Sequence, residues 1–401
     1  MSYRHRPTTP PAAPNTRPCI RFRAAIFAGA LSALVTGAWP VPSPAPAATV
    51  EVAPVAGSRS IQRALDRVQP GDTVLVLPGD YEERLVLPSG VTLRSRDGAL
   101  STRILGDYRG SVILVRDADS LTRVEGFTVT RGRGTYLPDT PREGGGGLLA
   151  FRAAVRVRDN IFVDNVLEIG KGVGGAVALF ESPAVLEGNT FEGNSASNGG
   201  GLYARACSLV TIRGNRFLRN HADYHGGGVF LDFRTQGLLE ANVMDRNDAG
   251  WGGGAEIGTL TRVEVRGNTI VANRVEHWGG GLFFLNCRPL VVRNLLAENI
   301  SANQGGGLVA GRAAYPDLRC NLAWHNTPEN FYYAANPTEI PGSSPPGEIP
   351  GAGQQIEEDP GFCNYLNGNF HPRPGGPADR EPCGVIGALA PECPRPAKIL
   401  R

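Results

Sequence analysis

Two carboxylates and a group of aromatic side chains hold equivalent places in a repeating pattern. They are the residues best suited to chemistry. Asp232 stands four residues past a glycine cluster ending at Gly228, and Glu256 two residues past the next, ending at Gly254. If successive repeats stack as coils, both side chains face outward on neighbouring coils. The rise along a strand and the spacing between strands then put them roughly 7–9 Å apart. That suits an acid and a base flanking a glycosidic bond with room for a water, the inverting arrangement. Asp223 or His225 could assist as proton donor, and Glu276 lies nearby. Equally, these carboxylates can be solvated surface charges paired with Arg205 or Arg234.

The aromatic residues follow the same rhythm. Tyr203, Phe230 and Phe283 come second after their glycine clusters, and His225, Trp251 and Trp278 immediately before theirs, with His277 alongside. Together they form an expected strip across the coils on which sugar rings could stack. An exposed apolar patch of that size marks an interaction site. A loop or the C-terminal tail packing over the strip, or a dimer contact, are the alternatives. No cysteine or histidine spacing resembles a zinc site, and no cofactor is expected. Lys171 and Lys398 are the only lysines, so a lysine base is improbable.

The element that must position these residues is a ladder of glycines. Its clusters end at Gly147, Gly175, Gly201, Gly228, Gly254, Gly281 and Gly307, in steps of 28, 26, 27, 26, 27 and 26 residues. Ahead of each cluster runs a strand ending in Asn, as at Asn189, Asn215 and Asn242. Two residues on comes an apolar side chain (Phe191, Phe217, Met244), and three further a second Asn (Asn194, Asn220, Asn247). Each unit therefore holds about three short strands joined by tight corners, too little chain to bury an apolar face alone but enough when coils stack. Asparagine is expected to take left-handed backbone at the corners and to hydrogen-bond in ladders. After the glycines, the first and third residues point inward, as Leu202 and Ala204 do. The second points outward: Leu149, Val177, Tyr203, Phe230, Glu256, Phe283 and Val309.

The rest of the 401 residues is arranged around this array. The first ~48 residues read as a leader, with Arg4, Arg6, Arg17, Arg21 and Arg23 ahead of the apolar run Ala24–Ala38. An uncleaved anchor is the alternative, and would be the chain's only contact with a membrane. Without the leader, 35 basic residues face 38 acidic ones, a net −3. This is not the basic footprint of a nucleic-acid binder. Ser58 or Ser60 should cap a short helix carrying Ile61, Ala64, Leu65 and Val68 on one face, stopped by Pro70-Gly71. Strands are expected at 73–77, 84–87, 91–94, 111–115 and 122–130, followed by an inserted loop at 131–143. The array spans 49–336, residues 337–353 form a proline- and glycine-rich loop, and 354–401 close the C-terminal end. Cys207 and Cys287 lie three coils apart, some 14 Å and beyond disulfide reach. Of three possible pairings among the C-terminal cysteines, Cys320 with Cys363 and Cys383 with Cys393 is the one expected.

Three stretches resemble the right-handed parallel β-helix superfamily, the pectate-lyase-like fold. They are the opening SIQRALDRVQPGDTVLVLPGDYEERLVLPSGVTL, the VxxxGNxFxxN…GGGL coils and the tail DPGFC…FHP…GVIGA. The resemblance covers nearly all of 58–393. The FVDN, FEGN and FLRN elements at 162, 191 and 217 are also similar to repeats of bacterial autotransporter passengers. It implies an all-β solenoid, in a superfamily that mixes polysaccharide lyases, glycoside hydrolases, epimerases and adhesins. The chain lacks an aspartate cluster resembling the calcium site of pectate lyases, and the motif set of polygalacturonases. The expectation is therefore a secreted or envelope protein that binds or processes an extracellular polysaccharide on its outward strand face, as a lyase or hydrolase if it is catalytic. A non-catalytic, adhesin-like β-helix is the alternative.

Overall fold

The repeat closes into stacked coils because each coil's backbone is completed by the next. The computed structural model describes residues 46–55, 60–334 and 355–393. Residues 1–45 of the expected leader, Ser58, and the whole 337–353 loop lie outside them. Strands one coil apart pair in parallel throughout the solenoid. In one coil, Leu202–Arg205 and Val210–Arg213 belong to a 19-stranded sheet, Arg216–Leu218 to a 10-stranded sheet and His221–His225 to a 5-stranded sheet, counted among the described residues.

Register decides what is core. Leu148, Val177, Leu202, Val229, Ala255, Leu282 and Leu308 are successive partners and are buried inside. Val177 is therefore inward, and its neighbour Ala178 takes the outward place. The reason is that Ala176 fills the last place of the glycine cluster in that coil, shifting the count by one. On the adjacent wall Phe162, Phe191 and Phe217 stack at 5.4 and 4.6 Å, with ring planes nearly parallel. Met244, Ile270, Leu296 and Ala323 continue the column.

The two asparagine columns are hydrogen-bonded ladders. Asn160 and Asn165 begin them, accepting from the Phe127 and Gly132 N–H groups. Each later Oδ1 accepts from both the backbone N–H and the side-chain amide of the Asn one coil earlier, as Asn220 does from Asn194 at 3.1 and 3.0 Å. Gln355 Oε1 completes the first ladder at Asn321, and Asn330 Oδ1 the second at Asn326. The asparagines do not themselves take the left-handed backbone. The residue before each of them does, including Asp159, Arg219, Ala241 and Arg246 at φ 51–53°. That leaves the Asn side chain turned along the solenoid axis, where its amide serves the next coil.

The helix is shorter than expected, Ser60–Leu65. It is capped from a distance by the buried Glu83 carboxylate, which accepts from the N–H groups of Ile61 and Gln62, each at 3.0 Å. The first coils also hold strands Gly79–Glu82 and Thr102–Leu105 that local pattern did not mark, and Ile113–Glu125 runs unbroken. At the other end Ile356 adds a bridge beside Leu322. The tail then folds back along the side of the solenoid. Phe362, Phe370, Ala378 and Ile386 pack on Val243, Val271, Leu295 and Leu322, which point out of the 10-stranded sheet. Its disulfides are Cys320–Cys363's and Cys383–Cys393's expected partners exchanged: Cys320 bonds Cys383 and Cys363 bonds Cys393, with Cα atoms 5.5 and 5.4 Å apart. The tail's return across several coils brings Cys383 to Cys320, which nearness in sequence does not anticipate. Cys207 and Cys287 are buried free thiols, and burial pushes them up to about 11 and about 12.

Candidate functional site

A left-handed glycine folds one column of side chains onto another. Asn198, His225, Trp251 and Trp278 are lateral neighbours in the 5-stranded sheet, at the end of each strand. Gly199, Gly226, Gly252 and Gly279 follow them with φ of 62–74°. The chain then enters the outward column Tyr203, Phe230, Glu256 and Phe283. Next in line, Gly227 has no room for a side chain, since a Cβ would lie 2.6 Å from the carbonyl oxygens of Asp248 and Gly253. The corner is therefore tight, and the His225 ring centroid comes to 5.4 Å from Phe230 and Trp278 to 6.4 Å from Phe283.

This folding splits the expected aromatic strip into two layers. Tyr203, Phe230 and Phe283 point outward but are buried at 4, 7 and 3 % exposure, so they support the surface rather than form it. His225, Trp251, His277 and Trp278 are half-buried above them. His225 stacks on Trp251 at 5.1 Å and Trp251 meets His277 at 4.2 Å. The 131–143 insertion covers the earlier coils. It is pinned where Thr135 pairs with Gly144, and its Leu137 joins a buried cluster with Leu149, Ala178, Tyr203 and Phe230.

Beside the insertion lies a pocket of about 410 Å³ in whose lining Arg142, Tyr203, Arg205, His225, Asp232 and Glu256 converge. His225 Nδ1 lies 2.9 Å from Glu256 Oε2. Asp232 accepts a 2.7 Å hydrogen bond from the Tyr203 hydroxyl and is in contact with the Arg205 guanidinium. Asn198 also lines the pocket, and its buried Oδ1 has no hydrogen-bond partner. Asp232 and Glu256 thus reach one site, but Glu256 is 1 % exposed and not a solvated charge. Asp223 turns elsewhere, accepting from the Gly170 N–H at 3.1 Å, and Glu276 is exposed outside the pocket. Arg142 and Asn198 were not marked by sequence. Arg205 was legible only as a counter-ion, from its place one coil below Asp232.

Residues 147–323 match the family model described as a right handed beta helix region. The chain folds as a right-handed parallel β-helix. Among solved structures it is similar to the A-module of a mannuronan C-5 epimerase from Azotobacter vinelandii, at 15 % identity and a TM-score of 0.25, over 75 % of this chain and 94 % of that one. No curated protein matches it.

The electrostatics of the β-helix pocket favour a retained proton. Burial pushes the Glu256 carboxyl up, against the opposing pull of the His225 hydrogen bond and charge. Burial alone would lower His225, but its hydrogen bond to Glu256, with the charges of Glu256 and Asp232, outweighs it and raises the imidazole. Both directions leave a proton on the pair, so Nδ1 is engaged and Nε2 is the nitrogen free to exchange one. Burial, reinforced by the charge of Asp232, holds the Tyr203 hydroxyl far above its ordinary value, as a donor. At Arg205 burial works against the charge, but the Asp232 carboxylate beside it raises the guanidinium. The arrangement can move a proton at His225 while Arg205 and Tyr203 hold Asp232 in place.

Proposed function

We propose that this protein binds and processes an extracellular polysaccharide in the pocket around His225, as a lyase or glycoside hydrolase. The observation that carries the reading is the His225–Glu256 contact at 2.9 Å, inside a pocket of about 410 Å³ with Asp232. In this reading His225 Nε2 transfers the proton and Asp232 acts on the opposite side of the reacting sugar, while Glu256 is a positioning residue that acts through His225. The half-buried Trp278 ring offers a sugar-stacking face two coils from His225, whereas Trp251 is already held between His225 and His277. The orphaned Asn198 Oδ1 is an acceptor for a sugar hydroxyl, since a buried acceptor without a partner carries a desolvation cost of about 1–3 kcal/mol that a ligand would relieve. The two disulfides and the basic, then apolar, N-terminal sequence support export to an oxidising compartment.

The test is a screen of acidic and neutral polysaccharides, following both unsaturated-uronate absorbance and new reducing ends. Wild type should act on at least one, and His225→Ala and Asp232→Ala should each lose about 100-fold or more in rate. Equal rates in wild type and His225→Ala would refute the assignment. Binding without turnover would leave an adhesin-like role.

A further inference from the structure

A larger concavity lies elsewhere on the described molecule. It has a volume of about 1160 Å³ and shares no lining residue with the pocket around His225. It lies on the second strand run of the same coils and carries Arg234, Arg262 and Arg288. Arg262 is the lateral partner of Gln236, and the pairing of Glu264 with Leu290 puts Arg288 beside Arg262 on the next coil. All three arginines are exposed.

None of the three makes an ion pair among the described residues. Arg234 lies over the Phe233 ring at 4.8 Å and Arg288 over Tyr315 at 5.0 Å. Glu264 is the one carboxylate in the lining, and it is held by Arg266 at 3.2 Å. At the far end of the same strands the charges alternate, with Arg213 and Arg266 both on Glu240. One end of these strands is thus neutralised by ion pairs while the other leaves guanidiniums side by side. Like charges on adjacent strands are unfavourable, so this column has its electrostatic complement outside the chain. The surfaces between the guanidiniums are apolar: the Tyr315 ring, Leu290, and Leu260 at 52 % exposure.

We propose that this groove is a second, non-catalytic site that binds an anionic polysaccharide laid along the solenoid axis. Coils repeat about every 4.8 Å, close to the advance of one sugar ring in an extended glycan. Two successive carboxylate or sulfate groups then meet Arg262 and Arg288 on adjacent coils, and Arg234, two positions back in the register and opposite Leu260, flanks them. The planar forks suit such oxyanions. Leu260 and Leu290 receive the sugar faces, and the Tyr315 ring seats Arg288. A duplex nucleic acid fits less well, because its phosphates advance about 3.4 Å per strand along the helix axis, out of step with coils about 4.8 Å apart. The assignment is independent of the chemistry at His225.

Titration of the full chain with polygalacturonate, heparin, neutral dextran and a double-stranded oligonucleotide, over a salt series, tests it. At least one acidic glycan should bind, with affinity that falls as salt rises, and dextran should not. The triple variant Arg234→Ala, Arg262→Ala, Arg288→Ala should weaken that binding at least tenfold and lower the salt slope by about three. The matching Lys triple variant should recover part of the loss, and both should keep the wild-type circular dichroism spectrum. In a His225→Ala background the arginine triple variant should weaken binding by the same factor as in wild type, so a failed pocket and a failed groove give different results. Binding unchanged in the alanine triple variant, equal binding of dextran, tighter binding of the oligonucleotide, or no binding of either acidic glycan would overturn the proposal.

Discussion

Asn220→Ala tests whether the asparagine ladder sets the seat of His225. Asn220 is fully buried and immediately precedes the strand His221–His225. Its Oδ1 accepts from Asn194 N–H at 3.1 Å and Asn194 Nδ2 at 3.0 Å. Its Nδ2 donates to the Phe191 carbonyl at 2.9 Å and to Asn247 Oδ1 at 3.0 Å. Alanine leaves the Asn194 N–H without that acceptor, at about 1–3 kcal/mol for an orphaned buried donor, and removes three further bonds at about 0.5–1.5 kcal/mol each. The expected loss is about 2.5–7.5 kcal/mol, a large share of a typical domain's roughly 5–15 kcal/mol. Because coils interact mainly with their neighbours, the damage should centre on the coils bearing His225. Urea unfolding followed by circular dichroism measures the total, and amide exchange locates it. The control is Asn303→Ala, an exposed residue whose side chain makes one 3.3 Å bond to the Glu276 carbonyl. It should shift stability by no more than about 0.5 kcal/mol. If the two variants unfold at the same urea concentration, the ladder is not what fixes the coil.

Two other expectations concern the site and the tail. Both His225 and Glu256 are raised in the folded state, so the native protein holds more protons than the unfolded chain above the unfolded values, and stability falls as pH rises. The His225 part is fully present below its unfolded value near ~6.5 and is lost through its folded value. Glu256→Gln should flatten that slope, and NMR should show His225 titrating lower; an unmoved His225 would refute the coupling. Cys383→Ser opens a crosslink spanning 63 residues, worth roughly 4 kcal/mol by loop entropy. It should expose 355–393 to limited proteolysis while the coils stay protected, and a tail as resistant as wild type would contradict the clamp.

Much of this architecture can be read along the chain. Leu202 and Ala204 are inward and Tyr203 outward because a strand alternates and each coil repeats its neighbour. The asparagine columns are visible as a spacing, and so is the place of Asp232 one coil above Arg205. The reading slips where a coil breaks the count. Ala176 stands in a glycine place, and Val177 is inward as a result. Local pattern also assigned left-handed backbone to the asparagines, whereas the residue ahead of each carries it and the amide is freed for the ladder.

The sequence by itself determined the coil, its period and the inward and outward columns, because those follow from nearest-neighbour geometry repeated many times. Tertiary structure decided which outward residues meet solvent. Glu256 is buried and bound to His225, and Phe230 lies beneath that same ring, because the glycine corner turns one column back over another. Arg142 reaches the pocket only because the 131–143 insertion packs across the coils. Cys320 meets Cys383 only because the tail returns along the solenoid's side. These contacts join segments outside the repeat's own register, and no local periodicity encodes them.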